Sequence, residues 1–242
     1  MRYVLCSDVH GNLEALEAIL RAVEKERADR FVFLGDLVGY GADPNACVEK
    51  LREVAHLVLA GNHDYGAMGL TDIGYFNPHA RAAILWTRKI LSPENHTFLK
   101  ILPLKSVENE LTLVHSSPFR PEDWYYISGP EEAIEGFSWC ETSLCFVGHT
   151  HFPVLFIMEP SGRVRYGRFR KVHIEEGLRY LINVGSVGQP RDGNPDACYL
   201  LYDSGEGILE LKRVPYDVET AQEKILAAGL PPFLAHRLAQ GM

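Results

Sequence analysis

Apolar and polar positions in the first hundred residues alternate between short apolar runs and longer stretches of helical period. Residues 2–6 read as a buried strand that stops at Ser7-Asp8. Leu13, Leu16, Ile19, Leu20 and Val23 then share one helical face, with Asn12 placed as its N-cap. Residues 31–34 form a second apolar run, ended by Gly35-Asp36. Asp43-Pro44 opens another helix, with proline where its missing N–H costs nothing. A third strand, about 55–59, runs toward Gly61-Asn62-His63-Asp64. Three strand–loop–helix units in succession predict a right-handed, largely parallel sheet.

The middle of the chain changes period. Asn77-Pro78 and Ser92-Pro93 are cap-plus-proline starts and predict helices over 80–91 and 94–101. They are expected to form a helical cap, inserted at about 66–102, beside the mouth of a site. Strands are expected again over 111–114 and 144–147, ending at His115 and at Gly148-His149. Short strands follow over 154–158, 164–166, 172–174, 180–184, 198–202 and 208–212, with Pro160-Ser161-Gly162 and Asp203-Ser204-Gly205 as turns. One or two helices are expected from Asp217. This order fits a four-layer α/β/β/α sandwich, two mixed sheets packed face to face with helices outside. No repeat, low-complexity tract or linker interrupts it, so 1–242 reads as a single domain.

Composition narrows the function without naming it. The 242 residues carry a formal net charge of −8, which argues against a broad nucleic-acid-binding face and against a stable nucleic-acid partner. Five cysteines, odd in number and without a C-x-x-C pair, suggest neither a disulfide framework nor a zinc knuckle. No apolar run approaches the ~20 residues of a membrane span, and the N-terminus does not read as a secretion signal. A cytoplasmic protein with no membrane partner is the expectation.

The chemistry sits at the strand ends. Asp8-x-His10, Gly35-Asp36, Gly61-Asn62-His63-Asp64, His115 and Gly148-His149-Thr150-His151 each follow a predicted strand. Ligands gather at the carboxyl ends of parallel strands, so residues remote in sequence are brought to one cavity. A single Asp-x-His is ordinary cap or turn chemistry. Five such endings in succession are not. Imidazole with carboxylate and amide oxygen suits Mn, Fe, Zn, Co or Ni. Asp8, His10, Asp36, Asn62, His115, His149 and His151 are too many ligands for one ion. Two ions sharing a carboxylate would use them all, and such a pair, ~3.5–4 Å apart, activates a hydroxide and neutralises phosphoryl oxygens.

These motifs, in this order over 1–191, resemble the calcineurin-like metallophosphoesterases, in particular their small bacterial and archaeal phosphodiesterase-like branch. The resemblance implies that Asp8, His10 and His151 hold one divalent transition-metal ion, manganese foremost, and that Asp36 bridges to the other. Asn62, His115 and His149 would hold that second ion. His63 would stabilise the transition state or protonate the leaving oxygen, and Asp64 would orient His63 through its other ring nitrogen. The segment from Asn183 to Arg191 resembles a loop of the smaller members, from which Arg191 would reach a substrate phosphate or Asn183 would pin the loop. Of the remaining histidines, His79, just inside the Pro78 helix, stands out.

The resemblance leaves the substrate open. Gly35-Asp36-Leu37-Val38-Gly39-Tyr40-Gly41 lacks the arginine that follows this motif in the protein-phosphatase branch, which argues against a Ser/Thr phosphoprotein phosphatase, while the imidazole of His63 keeps a phosphomonoesterase open as the alternative. A complete ligand set argues against a non-catalytic binding scaffold. Tyr65, Tyr75, Phe76, Trp86, Trp124, Tyr125 and Tyr126 cluster around the expected cap, where they serve packing or a nucleobase. The expected substrate is a small phosphodiester or nucleotide (poly)phosphate. Residues 192–242 offer no chemistry of their own.

Overall fold

The computed structural model describes all 242 residues. In chain order the elements are β1 (Arg2–Cys6), α1 (Leu13–Val23), β2 (Arg30–Phe33), α2 (Pro44–Val54), β3 (Leu57–Val58), α3 (Asn62–Met68), α4 (Pro78–Ile90) and α5 (Pro93–Lys100). Then come β4 (Lys105–Glu108), β5 (Leu111–Val114), α6 (Pro130–Trp139), β6 (Leu144–Val147), β7 (Val154–Met158), β8 (Val164–Gly167), β9 (Lys171–His173) and β10 (Arg179–Asn183). The chain ends with β11 (Ala197–Asp203), β12 (Ile208–Val214), α7 (Val218–Ala227) and α8 (Pro232–His236).

The strands form two mixed six-stranded sheets, ordered β3-β2-β1-β11-β12-β9 and β4-β5-β6-β10-β7-β8. Each contains one parallel triad: β1 pairs in parallel with β2, and β2 with β3, while β5 pairs in parallel with β6, and β6 with β10. The other pairings are antiparallel. Six parallel strands, three per sheet, therefore deliver six loops, and those loops interlock. Val187 N–H donates to Ser7 O at 2.9 Å, His115 Nδ1 bonds Leu34 O at 2.8 Å, and Gly148 N–H donates to His115 O at 2.8 Å.

Period-2 alternation sets the layers. Tyr3 and Leu5 point between the sheets, where they meet Val32 and Leu34 from β2 and its loop and Leu113, Phe146, Tyr180 and Ile182 from the second sheet. Val4 and Cys6 point the other way, onto Leu16 and Ile19 of α1 and Val48 and Leu51 of α2. On the far side, Cys145, Val147 and Leu181 pack against Ala133 and Phe137 of α6. The result is the four-layer α/β/β/α sandwich that the pattern predicts.

Several elements depart from the sequence reading. The third strand shrinks to Leu57–Val58 because α3 begins at Asn62, so the Asn-His-Asp motif opens a helix. The edge strand β4 went unrecognised: Lys105-Ser106-Val107-Glu108 has one strand neighbour and no buried residue, so it carries no alternation. Helix α6 was missed too, although Gly129-Pro130 with Glu132 at the third position is a capping signature, closed by a 2.9 Å bond from Gly129 N–H to Glu132 Oε2. Ala80 and Ala83 of α4 pack with Ile225, Leu234 and Leu238 of the C-terminal helices, whereas Leu99 of α5 joins the α1–α2 side of the core.

Phe146 is fully buried at the sheet–sheet interface. Phe146→Ala is expected to cost about 3–5 kcal/mol, measured by urea unfolding. A loss under about 1 kcal/mol would contradict a close-packed inter-sheet layer.

Candidate metal centre

Five of the six loops bring seven predicted donors together. Asp8, His10, Asp36 and His151 form one group whose candidate ligand atoms all lie within 4.8 Å of one another, and Asp36, His115 and His149 form a second. Asp36 belongs to both. All six are buried, as is Asn62, whose Oδ1 has no hydrogen-bond partner.

Hydrogen bonds on the outer ring nitrogens fix how the imidazoles face. His10 Nδ1 bonds Val38 O at 3.1 Å, and His151 Nδ1 bonds Gln189 O at 2.6 Å. A nitrogen facing a carbonyl must carry the proton, so in each neutral ring Nε2 presents a lone pair. Those two Nε2 atoms face each other at 3.0 Å, with Asp8 Oδ1 3.2 Å from His151 Nε2. Two lone pairs and a carboxylate oxygen at such distances repel unless a cation lies among them. The second group repeats the design. His115 Nδ1 bonds Leu34 O, which leaves Nε2 buried 3.3 Å from Asp36 Oδ2. His149 Nε2 bonds Trp124 O at 2.9 Å, which turns Nδ1 inward. The donor set fits divalent transition metals.

Electrostatics point the same way. Burial would raise the carboxyls of Asp8 and Asp36, but the imidazoles around them hold both well below the usual carboxylate range. His115, although burial favours its neutral form, is pushed up to about 9 by the Asp36 carboxylate. Burial, helped by the charge of His115, lowers His149 to about 3. Burial, helped by Arg191, lowers His151 to about 3. The cavity thus keeps two carboxylates ionised, with His149 and His151 held neutral and His115 held in its charged form beside Asp36.

The backbone is strained to make this fit. Asp8, His10, Asp36, His149 and His151 all have left-handed φ, between 52° and 67°, at roughly 1–3 kcal/mol each. Gly61 shows why a bare Cα is needed beside them: a Cβ there would lie 2.1 Å from Asp36 Oδ1.

Asp64 departs from expectation. Its carboxylate accepts four backbone N–H groups, Gly61 and Asp36 on Oδ2, both at 2.9 Å, and Leu37 and Val38 on Oδ1 at 2.9 and 3.2 Å. Burial and the Asp36 charge push it up to about 7, while these amides favour the carboxylate form. It does not bond the His63 ring, whose Nδ1 is buried without a partner. At the third position of α3, the Asp64 side chain turns back to cap the helix, so it buckles the Asp36 loop to that helix. His63 instead stacks on Phe76 (ring centroids 5.3 Å apart), packs against Tyr40 (4.4 Å) and is held neutral by burial.

Arg191 lies at the rim. Its guanidinium bonds Gln189 Oε1 at 2.8 Å and Tyr40 OH at 3.3 Å. Asn183 pins the His149–His151 turn, donating to Gly148 O and to Thr150 Oγ1. His79 stands apart from the centre, stacked on Phe233 at 4.8 Å. The reading of the sequence passed over Tyr40, Gln189 and Ser186. Tyr40 sits between Gly39 and Gly41, a signal of a special turn, whereas Gln189 and Ser186 act through a carbonyl and a hydroxyl inside a loop. A cleft of about 290 Å³ opens above His63, Asn62 and His149, walled by Tyr75, Phe76, Trp124 and Tyr126.

Asp64→Asn would set an amide NH₂ against backbone donors. It is expected to destabilise the metal-free protein by about 2–4 kcal/mol in urea titrations, since bonds to a charged acceptor contribute about 1.5–3 kcal/mol each. Unchanged stability with slower turnover would instead restore the ring-orienting role.

Comparison with known proteins agrees with this geometry. The profile described as calcineurin-like phosphoesterase matches residues 1–153. An uncharacterised protein of Methanocaldococcus jannaschii is 42% identical over 239 residues, covering 97% of this chain and 96% of that one. A phosphodiesterase of Escherichia coli, YfcE, is 26% identical over 214 residues, 84% of this chain and 88% of its own. The crystal structure of a metallophosphoesterase from Sphaerobacter thermophilus superposes with a TM-score of 0.87 at 39% identity, covering 100% of this chain and 99% of that one. The chain belongs to the calcineurin-like phosphoesterases.

Proposed function

We propose that the chain hydrolyses a small phosphodiester or nucleotide (poly)phosphate at a dinuclear centre, with manganese the leading ion and iron, zinc, cobalt or nickel alternatives. Asp8, His10 and His151 would hold one ion and Asn62, His115 and His149 the other, with Asp36 common to both donor groups. The observation that carries this reading is the pair of donor groups sharing Asp36, with lone pairs 3.0 Å apart and no internal partner for the buried Asn62 Oδ1 or His115 Nε2. When bound, the ions supply an activated water and positive charge for the phosphoryl oxygens.

The protein's own groups do the rest. His63 lines the cleft beside Asn62, and a neutral imidazole there offers one N–H to a phosphoryl or leaving oxygen. Phe76 and Tyr40 hold its ring plane, and Gly39 leaves the room: a Cβ at that position would meet His63 Nδ1 at 2.3 Å. Asp64 acts one step back, by holding the loop that presents Asp36. Arg191, tied to Tyr40 and Gln189, directs its charge toward a substrate phosphate. Residues 1–242 work as one domain, in which the segment 66–102 supplies a wall of the cleft. Five unpaired, buried cysteines favour a reducing, cytoplasmic setting.

Bis(p-nitrophenyl) phosphate with Mn²⁺ tests the reading, run beside the mono-ester. Turnover is expected to need the metal and to fall about 10²–10⁴-fold in His63→Ala, with two metal ions per chain by elemental analysis. Absence of metal-dependent hydrolysis of either ester in the wild type would overturn it.

A further inference from the structure

The turn Gly39-Tyr40-Gly41 is shaped around its middle side chain. Tyr40 holds left-handed φ of 58°, a conformation that bulky residues seldom adopt and that recurs at functional sites. Its two glycines are set by close approach. A Cβ at Gly39 would lie 2.3 Å from His63 Nδ1, and one at Gly41 would lie 2.5 Å from His10 O. The turn thereby lodges the Tyr40 ring 4.6 Å from the ring of His10 and 4.4 Å from that of His63, with Ile225, Leu234 and Leu238 behind it.

Such packing asks only for a phenyl ring. The hydroxyl needs another account. Tyr40 is buried, yet it lines the cleft beside His63 and Asn62. Its oxygen accepts a hydrogen bond from Arg191 Nη2 at 3.3 Å, and a guanidinium can only donate. The phenolic proton is therefore not used in that bond, and no protein group accepts it. Arg191 is arranged in the same way. Its Nε and Nη2 donate to the Gln189 amide oxygen and to Tyr40, both neutral, while the two N–H groups of Nη1 have no partner.

These free donors face the metal centre. Burial raises the Tyr126 phenol on the opposite wall, and the groups whose charge reaches it are Arg191, Tyr40, Asp36 and Asp8. His63 and His151 also feel the Arg191 charge. One side of the mouth thus carries three donors, His63, Tyr40 and Arg191. Tyr40 is the middle one, since the Arg191 guanidinium carbon lies 5.7 Å from its ring centroid on the side away from no other cation of the site. A phenol that accepts from a cation is also a better donor, because bonded groups polarise one another.

We propose that the Tyr40 hydroxyl is a further catalytic group, donating a hydrogen bond to a non-bridging phosphoryl oxygen of the substrate between His63 and Arg191. The inference rests on the phosphoesterase reading above and adds a neutral donor to it. The phenol keeps its proton throughout. As negative charge builds on the phosphoryl oxygen the hydrogen bond strengthens, so its effect falls on kcat more than on KM.

Tyr40→Phe keeps the ring and removes the donor. With bis(p-nitrophenyl) phosphate at fixed Mn²⁺, it is expected to lower kcat about ten- to a hundredfold, the range for a hydrogen bond to a charged group, with KM within about threefold of wild type. Metal content by elemental analysis and the urea midpoint are expected to match wild type. Contact is separated from tethering by Arg191→Ala. Were the hydroxyl only a tether for Arg191, Tyr40→Phe would cost nothing once that guanidinium was gone. A further loss of at least about threefold is expected in the double variant relative to Arg191→Ala alone. A kcat within about twofold of wild type for Tyr40→Phe, no further loss in the double variant, or a lowered metal content would each overturn the inference. Absence of turnover in the wild type would instead strike the phosphoesterase reading itself.

Discussion

The structure is organised around one electrostatic constraint: two fully buried carboxylates, Asp8 and Asp36, in a cavity whose imidazoles have already spent their outer N–H groups on backbone carbonyls. Burying two ionised carboxylates is costly, and among the imidazoles around them only His115, beside Asp36, is raised toward its charged form, while His149 and His151 stay neutral. Divalent cations relieve that cost, and they also explain why each histidine is rotated with its lone pair inward. Positions of Val38 O, Leu34 O and Gln189 O are thus as much a part of the centre as the ligands, since each selects a tautomer.

That constraint explains the sheets. Each carries a parallel triad, and a parallel strand presents its carboxyl end to the same edge as its neighbours. Two triads packed face to face place loops from both sheets over one cavity, so that the first supplies Asp8, Asp36 and Asn62 and the second His115, His149 and His151. Left-handed φ at Asp8, His10, Asp36, His149 and His151 adds backbone strain. Interlocking hydrogen bonds offset part of it. Asp8 N–H donates to Gly35 O, His10 N–H to Asp36 O and Gly188 N–H to Asp8 O, each at 2.9 Å.

Much of this was legible beforehand, for a physical reason. Metal ligands need particular atom types, and strand ends punctuated by glycine are visible in a linear chain, so Asp8, His10, Asp36, Asn62, His115, His149 and His151 stood out. The Asp64 buckle did not, because it depends on where α3 begins: once Asn62 is the first helical residue, Asp64 falls at the capping position and its carboxylate belongs to backbone amides. Partners that act through main-chain oxygen, such as Gln189 and Trp124, have no side-chain signature. Edge strand β4 lacked the one-sided burial on which alternation depends.

The C-terminal segment, which offered no chemistry in sequence, acquires a mechanical role from this geometry. Ile225, Leu230, Leu234 and Leu238 close an apolar cluster around Tyr40, Ala80 and Ala83. Tyr40 in turn lies 4.6 Å from His10 and 4.4 Å from His63, ring to ring, and receives the Arg191 guanidinium on its hydroxyl. The last helices therefore back the one aromatic residue that touches His10 of the donor cluster, His63 in the cleft and Arg191 at the rim. They also back the start of α4, from which Ala80 faces the cleft. A close-packed cluster transmits small displacements instead of absorbing them. Loosening these helices would displace His63 before it displaced the buried donor cluster, whose residues hang from the sheets.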